Sequence, residues 1–121
     1  MASEGFHEQL DVLTSRTKDM HRALQSLMEE LEAVDWYQQR VDAATDDELR
    51  AILAHNRDEE KEHASMILEW IRRRDSVFDQ QLRNYLFTSD PITGREEAGK
   101  SGNDSKAATG SSIGSLRGGG Q

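Results

Sequence analysis

The chain's only proline is Pro91, and eight of its nine glycines follow it. Apart from Gly5, everything before that point lacks the two residues that most readily break a helix. Within it, Leu10, Leu13, Thr17, Met20, Leu24, Leu27, Leu31, Val34, Gln38 and Val41 recur at alternating steps of three and four, which predicts one long helix over residues 8–42. At 1.5 Å per residue such a helix is about 50 Å long, too long to be stable without a packing partner. A seam this narrow is the pattern of helices lying side by side.

Asp42-Ala43-Ala44-Thr45-Asp46-Asp47 reads as a turn, and Thr45 with Glu48 has the spacing of a capping box that opens a second helix. That helix is expected to run to about Arg74, where Arg72-Arg73-Arg74 complement the negative end of the helix dipole. Asp75 or Ser76 is placed to cap a short third helix through Leu86, with Val77, Phe78, Leu82, Tyr85 and Leu86 on its apolar side. The predicted domain is residues 1–91, an all-α antiparallel hairpin plus a short helix. Residues 92–121 are poor in large apolar side chains and are expected to form a disordered tail.

The second helix carries an oddity. Leu49, Ile52, Leu53, Ile67, Trp70 and Ile71 form one stripe, and Asn56, Glu60 and His63 fall inside it rather than opposite it. A carboxylate and an imidazole in an apolar seam are costly unless paired or bound to a metal. Glu-x-x-His on an inward helix face is how di-iron carboxylate bundles present two ligands to one site. Counting from the turn, Glu30 lies twelve residues before Asp42 and Glu60 thirteen after Asp47. Each therefore sits roughly 18–20 Å up its helix, and Glu30 lies at the edge of the first helix's apolar arc. One chain offers Glu30, Glu60 and His63, half of the four Glu and two His of a di-iron bundle. The simplest source of the other half is a second copy across a two-fold axis, which completes a ferritin-like four-helix bundle.

Composition limits the alternatives. With no cysteine there is no disulfide framework, zinc finger or iron–sulfur cluster, and any metal must be held by Glu, Asp or His. Residues 1–91 hold 20 acidic against 11 basic side chains, a field that repels nucleic acid and attracts cations. No apolar run approaches the ~18 residues needed to span a membrane, and no basic cluster or hydrophobic signal region opens the chain. A cytoplasmic protein is expected, without nucleic-acid or membrane partners.

Met28-Glu29-Glu30-Leu31-Glu32-Ala33-Val34-Asp35-Trp36-Tyr37 followed by Ile52-Leu53-Ala54-His55-Asn56-Arg57-Asp58-Glu59-Glu60-Lys61-Glu62-His63 resembles the encapsulated ferritins, the two-helix ferritin-like cargo of encapsulin nanocompartments. Leu68-Glu69-Trp70 and Tyr85-Leu86-Phe87-Thr88 continue the resemblance, which covers residues 8–92. Ile113-Gly114-Ser115-Leu116-Arg117 is similar to the peptide by which such cargo docks inside the encapsulin shell, placing a docking peptide near 112–118. The resemblance implies a ferroxidase with iron ligands Glu30, Glu60 and His63, a di-iron centre of two Fe per dimer, and dimers arranged in a ring, in the family a decamer. It implies further that Glu29 and Glu32 form an outer metal-attracting site and that Trp36 and Tyr37 lie near the centre. Docking would involve Ile113, Gly114, Leu116 and Arg117, and iron oxidised by dioxygen or peroxide would be mineralised for storage inside the shell.

By helix geometry Tyr37 is on the Glu30 side and Trp36 is not, so only Tyr37 is placed to reach the ligands. His7, His21 and His55 have no matching carboxylate on an apolar face and read as surface or polar contacts, while Met20, Met28 and Met66 read as core filler. Two other classes remain. One is a non-catalytic helical interaction module in which the polar cluster only sets register. The other is a di-metal oxygenase or hydrolase, which needs a substrate pocket that two long helices and a stub hardly provide.

Overall fold

The computed structural model describes residues 5–96. Among these there are three α-helices and no strand: α1 (Ser15–Ala43), α2 (Asp47–Arg74) and α3 (Ser76–Tyr85), with short 3-10 turns at Leu10–Val12 and Ile92–Gly94. The described residues divide into two compact units, one ending at Ile71 and the other beginning at Arg72. No helix among the described residues is long and apolar enough to cross a membrane.

In the first unit, the apolar spacing that predicts a helix from residue 8 runs on, but the backbone does not follow it. Leu13 and Thr14 are extended, and the Thr14 hydroxyl accepts the Thr17 amide at 3.0 Å, so α1 starts at Ser15. A cap that satisfies an otherwise orphaned amide outweighs an apolar spacing that Leu10 and Leu13 continue from outside the helix. At the turn, the cap of α2 is Asp46 rather than the expected Thr45: its Oδ2 accepts the Leu49 amide at 2.8 Å. A carboxylate also complements the positive end of the helix, where Asp47 and Glu48 join it. Asp46→Ala is therefore expected to cost about 1 kcal/mol in urea unfolding, and Thr45→Ala a few tenths at most.

The second unit is tied by ion pairs. Asp75 caps α3 by accepting the Phe78 amide at 2.8 Å, and Asp79 receives both Arg72 and Arg83. Beyond α3, Asn84 and Arg95 bind reciprocally: Arg95 Nε donates to the Asn84 carbonyl at 3.0 Å and Asn84 Nδ2 to the Arg95 carbonyl at 2.8 Å. The described chain thus continues past Pro91 in an ordered turn. Phe87, inside that loop, adopts φ 61° and is fully exposed.

The apolar core is slight. Only Ala64 and Ile71 are fully buried among the described residues, while Leu49, Ile52, Met28 and Met66 stand about half exposed or more. Of the methionines expected to fill a core, Met28 and Met66 are on the outside of the single chain, while Met20 is partly buried.

Candidate metal centre

At about 100° per residue, Ala64 and Ile71 mark the side of α2 that its own chain covers, about 20° apart. Glu60 lies about 20° beyond Ile71, and His63 about 60° further round, within about 20° of Ile52. Exposure follows the same order: the Glu60 side chain is 23% exposed, His63 45% and Ile52 52%. Glu60 therefore points toward the hairpin seam, and His63 leans to the flank that a single chain leaves open.

Glu30 meets them from α1, as the level count predicts. His63 Nδ1 lies 3.0 Å from Glu60 Oε1 and 3.7 Å from Glu30 Oε1. The three ligating atoms all fall within 4.8 Å of one another. The Glu30 carboxyl is raised above the ordinary range, first by the hydrogen bond it shares with Glu60, then by partial burial and by the Glu60 charge. Glu60 is lowered, chiefly because it accepts that bond, with His63 assisting. His63 is raised, chiefly by its hydrogen bond to Glu60, with the charges of Glu30, Glu60 and Glu59 adding to it. The two carboxyls thus titrate as a pair that shares a proton, and the imidazole is drawn toward its charged form. A divalent cation would replace those protons as the source of positive charge.

The donors fit such an ion. Two ligands at about 2.1 Å from one metal are at most about 4.2 Å apart, so the 4.8 Å limit requires only a small closing movement. Oxygen and imidazole nitrogen without thiolate suit iron, manganese or zinc. Three protein donors leave coordination positions that another chain can fill.

The other predicted residues are placed as follows. Glu29 and Glu32 lie exposed on α1 close to Glu30, with Glu29 accepting from Gln25 at 3.4 Å. Trp36 is 49% exposed, and Tyr37 is half-buried with its ring 5.0 Å from the Arg40 guanidinium. His55 pairs with Glu59 at 3.3 Å, as expected of a surface contact, whereas His21 packs its ring against Phe6, with centroids 4.1 Å apart. Ile113, Gly114, Leu116 and Arg117 lie outside the described residues.

One contact across the hairpin was not anticipated. Arg57 Nη1 donates to Gln38 Oε1 at 2.8 Å, linking α2 to α1. Gln38 continues the α1 stripe between Val34 and Val41, yet it is exposed in the single chain; a polar residue at a stripe position is the signal the sequence offers. Arg57 lies just past the edge of the apolar stripe but within about 20° of Ala64, on the side of α2 that its own chain covers, and its length completes the reach to Gln38.

A long helical hairpin that presents Glu from one helix and Glu-x-x-His from the other is a ferritin-like element of the carboxylate type. A sequence model of the EncFtn-like family matches residues 5–89. The chain belongs to the EncFtn-like family. It is 58% identical over 120 residues to an encapsulated ferritin-like protein of Rhodospirillum rubrum, covering 95% of this chain and 86% of that protein. It is similar over 46 residues, at 44% identity, to an encapsulin nanocompartment cargo protein of Myxococcus xanthus, covering 38% of this chain and 35% of that one. The crystal structure of a Nitrosomonas europaea protein is 65% identical with a TM-score of 0.71, covering 73% of this chain and 97% of that one.

Proposed function

We propose that this protein is a ferroxidase that works as cargo inside an encapsulin shell. Two copies pair so that two sets of Glu30, Glu60 and His63 face each other and bind two Fe²⁺ as substrate. Each iron gives up one electron to dioxygen or peroxide and leaves as Fe³⁺ for storage in the compartment. Carboxylates suit this work because they bind hard ions and can change between terminal and bridging modes as the charge rises. Glu29 and Glu32 serve as an outer cation-attracting site, and Tyr37 and Trp36 sit near the centre. The dimers form a ring, a decamer by analogy with the family, and the peptide around Ile113, Gly114, Leu116 and Arg117 docks it to the shell.

The observation that carries this reading is the convergence of three ligand-type atoms within 4.8 Å at matching heights on two helices. The similarity to the encapsulated ferritin-like protein of Rhodospirillum rubrum and the encapsulin cargo protein of Myxococcus xanthus supports the encapsulated setting. The test is an aerobic Fe²⁺ titration followed by absorbance. Wild-type protein is expected to oxidise iron rapidly with saturation at two Fe per dimer. Glu60→Ala and His63→Ala are each expected to slow it at least 100-fold, since each removes one of three ligands from both halves. Equal rates in all three proteins would leave a non-catalytic module whose polar cluster only sets register.

A further inference from the structure

Arg57 and Gln38 belong neither to the ligand set nor to its immediate contacts, yet both are held from two sides. Arg57 Nε and Nη2 donate to Asp58 Oδ1 and Oδ2 at 3.0 and 3.3 Å, which fixes the plane of the guanidinium. Its Nη1 is left pointing at Gln38, and the side chain is only 19% exposed. Gln38 in turn donates its Nε2 to Asp42 Oδ1 at 2.9 Å, one turn along α1, so its carbonyl oxygen faces Arg57. The result is a continuous polar chain, Asp42–Gln38–Arg57–Asp58, that crosses from one helix to the other.

The levels explain why these two residues meet. Gln38 lies eight residues from Glu30 toward the turn, about 12 Å, and Arg57 three residues from Glu60 in the same direction, about 4.5 Å. Side chains tilt toward their own helix N-terminus. Arg57 therefore reaches toward the turn and Gln38 away from it, and the arginine's length closes the gap. Around α2, Arg57 lies about 60° from Glu60 on the side away from His63. The tie grips the flank opposite the one left open for a second chain.

We infer that the Arg57–Gln38 bond is a register clasp that positions Glu30 against Glu60 and His63. This rests on the metal reading above and adds to it the device that sets the ligand spacing. With Ala64 and Ile71 the only fully buried apolar residues described, packing alone specifies the sliding position of α1 on α2 weakly. Setting register is the best-attested use of a polar pair between packed helices, and here the pair sits at the rim of the seam, with Arg57 partly covered and Gln38 exposed. A slip of one residue moves Glu30 by about 1.5 Å, enough to break a 2.8 Å hydrogen bond. The same slip takes ligands already spread over 4.8 Å out of common reach of one ion. Arg57 and Gln38 are thus positioning residues.

The test uses full-length protein and Co²⁺ as probe, read by its d–d absorption, alongside urea unfolding of the metal-free chain. Gln38→Met and Arg57→Met are each expected to weaken Co²⁺ binding about 10-fold and to alter the band shape, whereas a merely structural role lowers unfolding stability and leaves the spectrum unchanged. The double variant is expected to bind no worse than either single one, because both remove the same bond. The exchanged pair, Gln38→Arg with Arg57→Gln, is expected to recover most of the affinity, since arginine on α1 can lean on Asp42 and donate to the glutamine on α2. Wild-type affinity and spectrum in the Met variants, additive losses, or no recovery on exchange would each overturn the clasp, provided that His63→Ala abolishes the signal. Indifference of the Co²⁺ spectrum to His63→Ala would overturn the metal reading itself, and the clasp with it.

Discussion

Ile52→Asp is expected to abolish iron oxidation without touching a ligand. Ile52 lies eleven residues, about three turns, before His63 and within about 20° of it around α2, and it is 52% exposed in the single chain. If the second copy covers this flank, Ile52 is buried there once in each subunit. Losing that burial and desolvating an unpaired carboxylate costs at least about 2 kcal/mol per copy, or about 4 kcal/mol per symmetric dimer. Self-association should weaken about 1,000-fold, and at micromolar protein the iron site should disassemble into halves. Sedimentation should report a shift to monomer, circular dichroism an unchanged helix content, and the aerobic titration a loss of oxidation. Lys61→Glu is the control: position 61 is about 180° from Ile52, its side chain is 57% exposed, and the charge change should leave both assembly and oxidation in place. A variant Ile52→Asp that stays monomeric in native mass spectrometry and still binds two irons would sink the shared-site reading.

That prediction depends on what helical phase can and cannot say. The α2 stripe was readable because its period is regular, and the meeting of Glu30 with Glu60 and His63 was readable because both levels count from one short turn. Phase also identified Leu49 and Ile52 as apolar-face positions, but it does not say which molecule covers them; in a single chain they are about half exposed. Glu60 and His63 looked like core residues for the same reason and are only partly covered, at 23% and 45% exposure. The spacing places the start of α1 too early because Leu10 and Leu13 continue it outside the helix, where Thr14 makes the local decision. Thr45 and Asp46 are adjacent cap candidates, and spacing alone favoured the threonine while the backbone amide of Leu49 found the aspartate. The Arg57–Gln38 bond is not legible in the spacing because it joins polar residues nineteen apart, and a charged side chain next in phase to Ala64 carries no apolar signal. Periodicity locates faces and heights, whereas capping and reach act at single atoms.

Deleting Ser112–Gln121 is expected to separate chemistry from compartment. The donors of the candidate centre all lie between Glu30 and His63, and the described chain already closes on itself through Asn84 and Arg95. Truncation should therefore leave helix content, self-association and the rate of iron oxidation within about twofold of the full chain, because every contact named above lies within residues 5–96. Capture should be lost. When the shell protein is produced together with the truncated chain, the amount co-purifying should fall to background. The two aliphatic anchors, Ile113 and Leu116, stand among glycine and serine, and each contributes about 1.5–3 kcal/mol if its side chain is buried in a shell pocket. One anchor is then worth roughly 10- to 100-fold in affinity, but the proposed ring would present many tails and multiply weak contacts, so a single substitution can be masked. Ile113→Asp with Leu116→Asp in the same chain removes both anchors from every tail and should reproduce the deletion, while Ser115→Ala should not. Equal co-purification of the full, truncated and doubly substituted chains would mean that encapsulation, if it occurs, is read from the helical surface, and the outward-facing acidic residues of α1 and α2 would become the place to look.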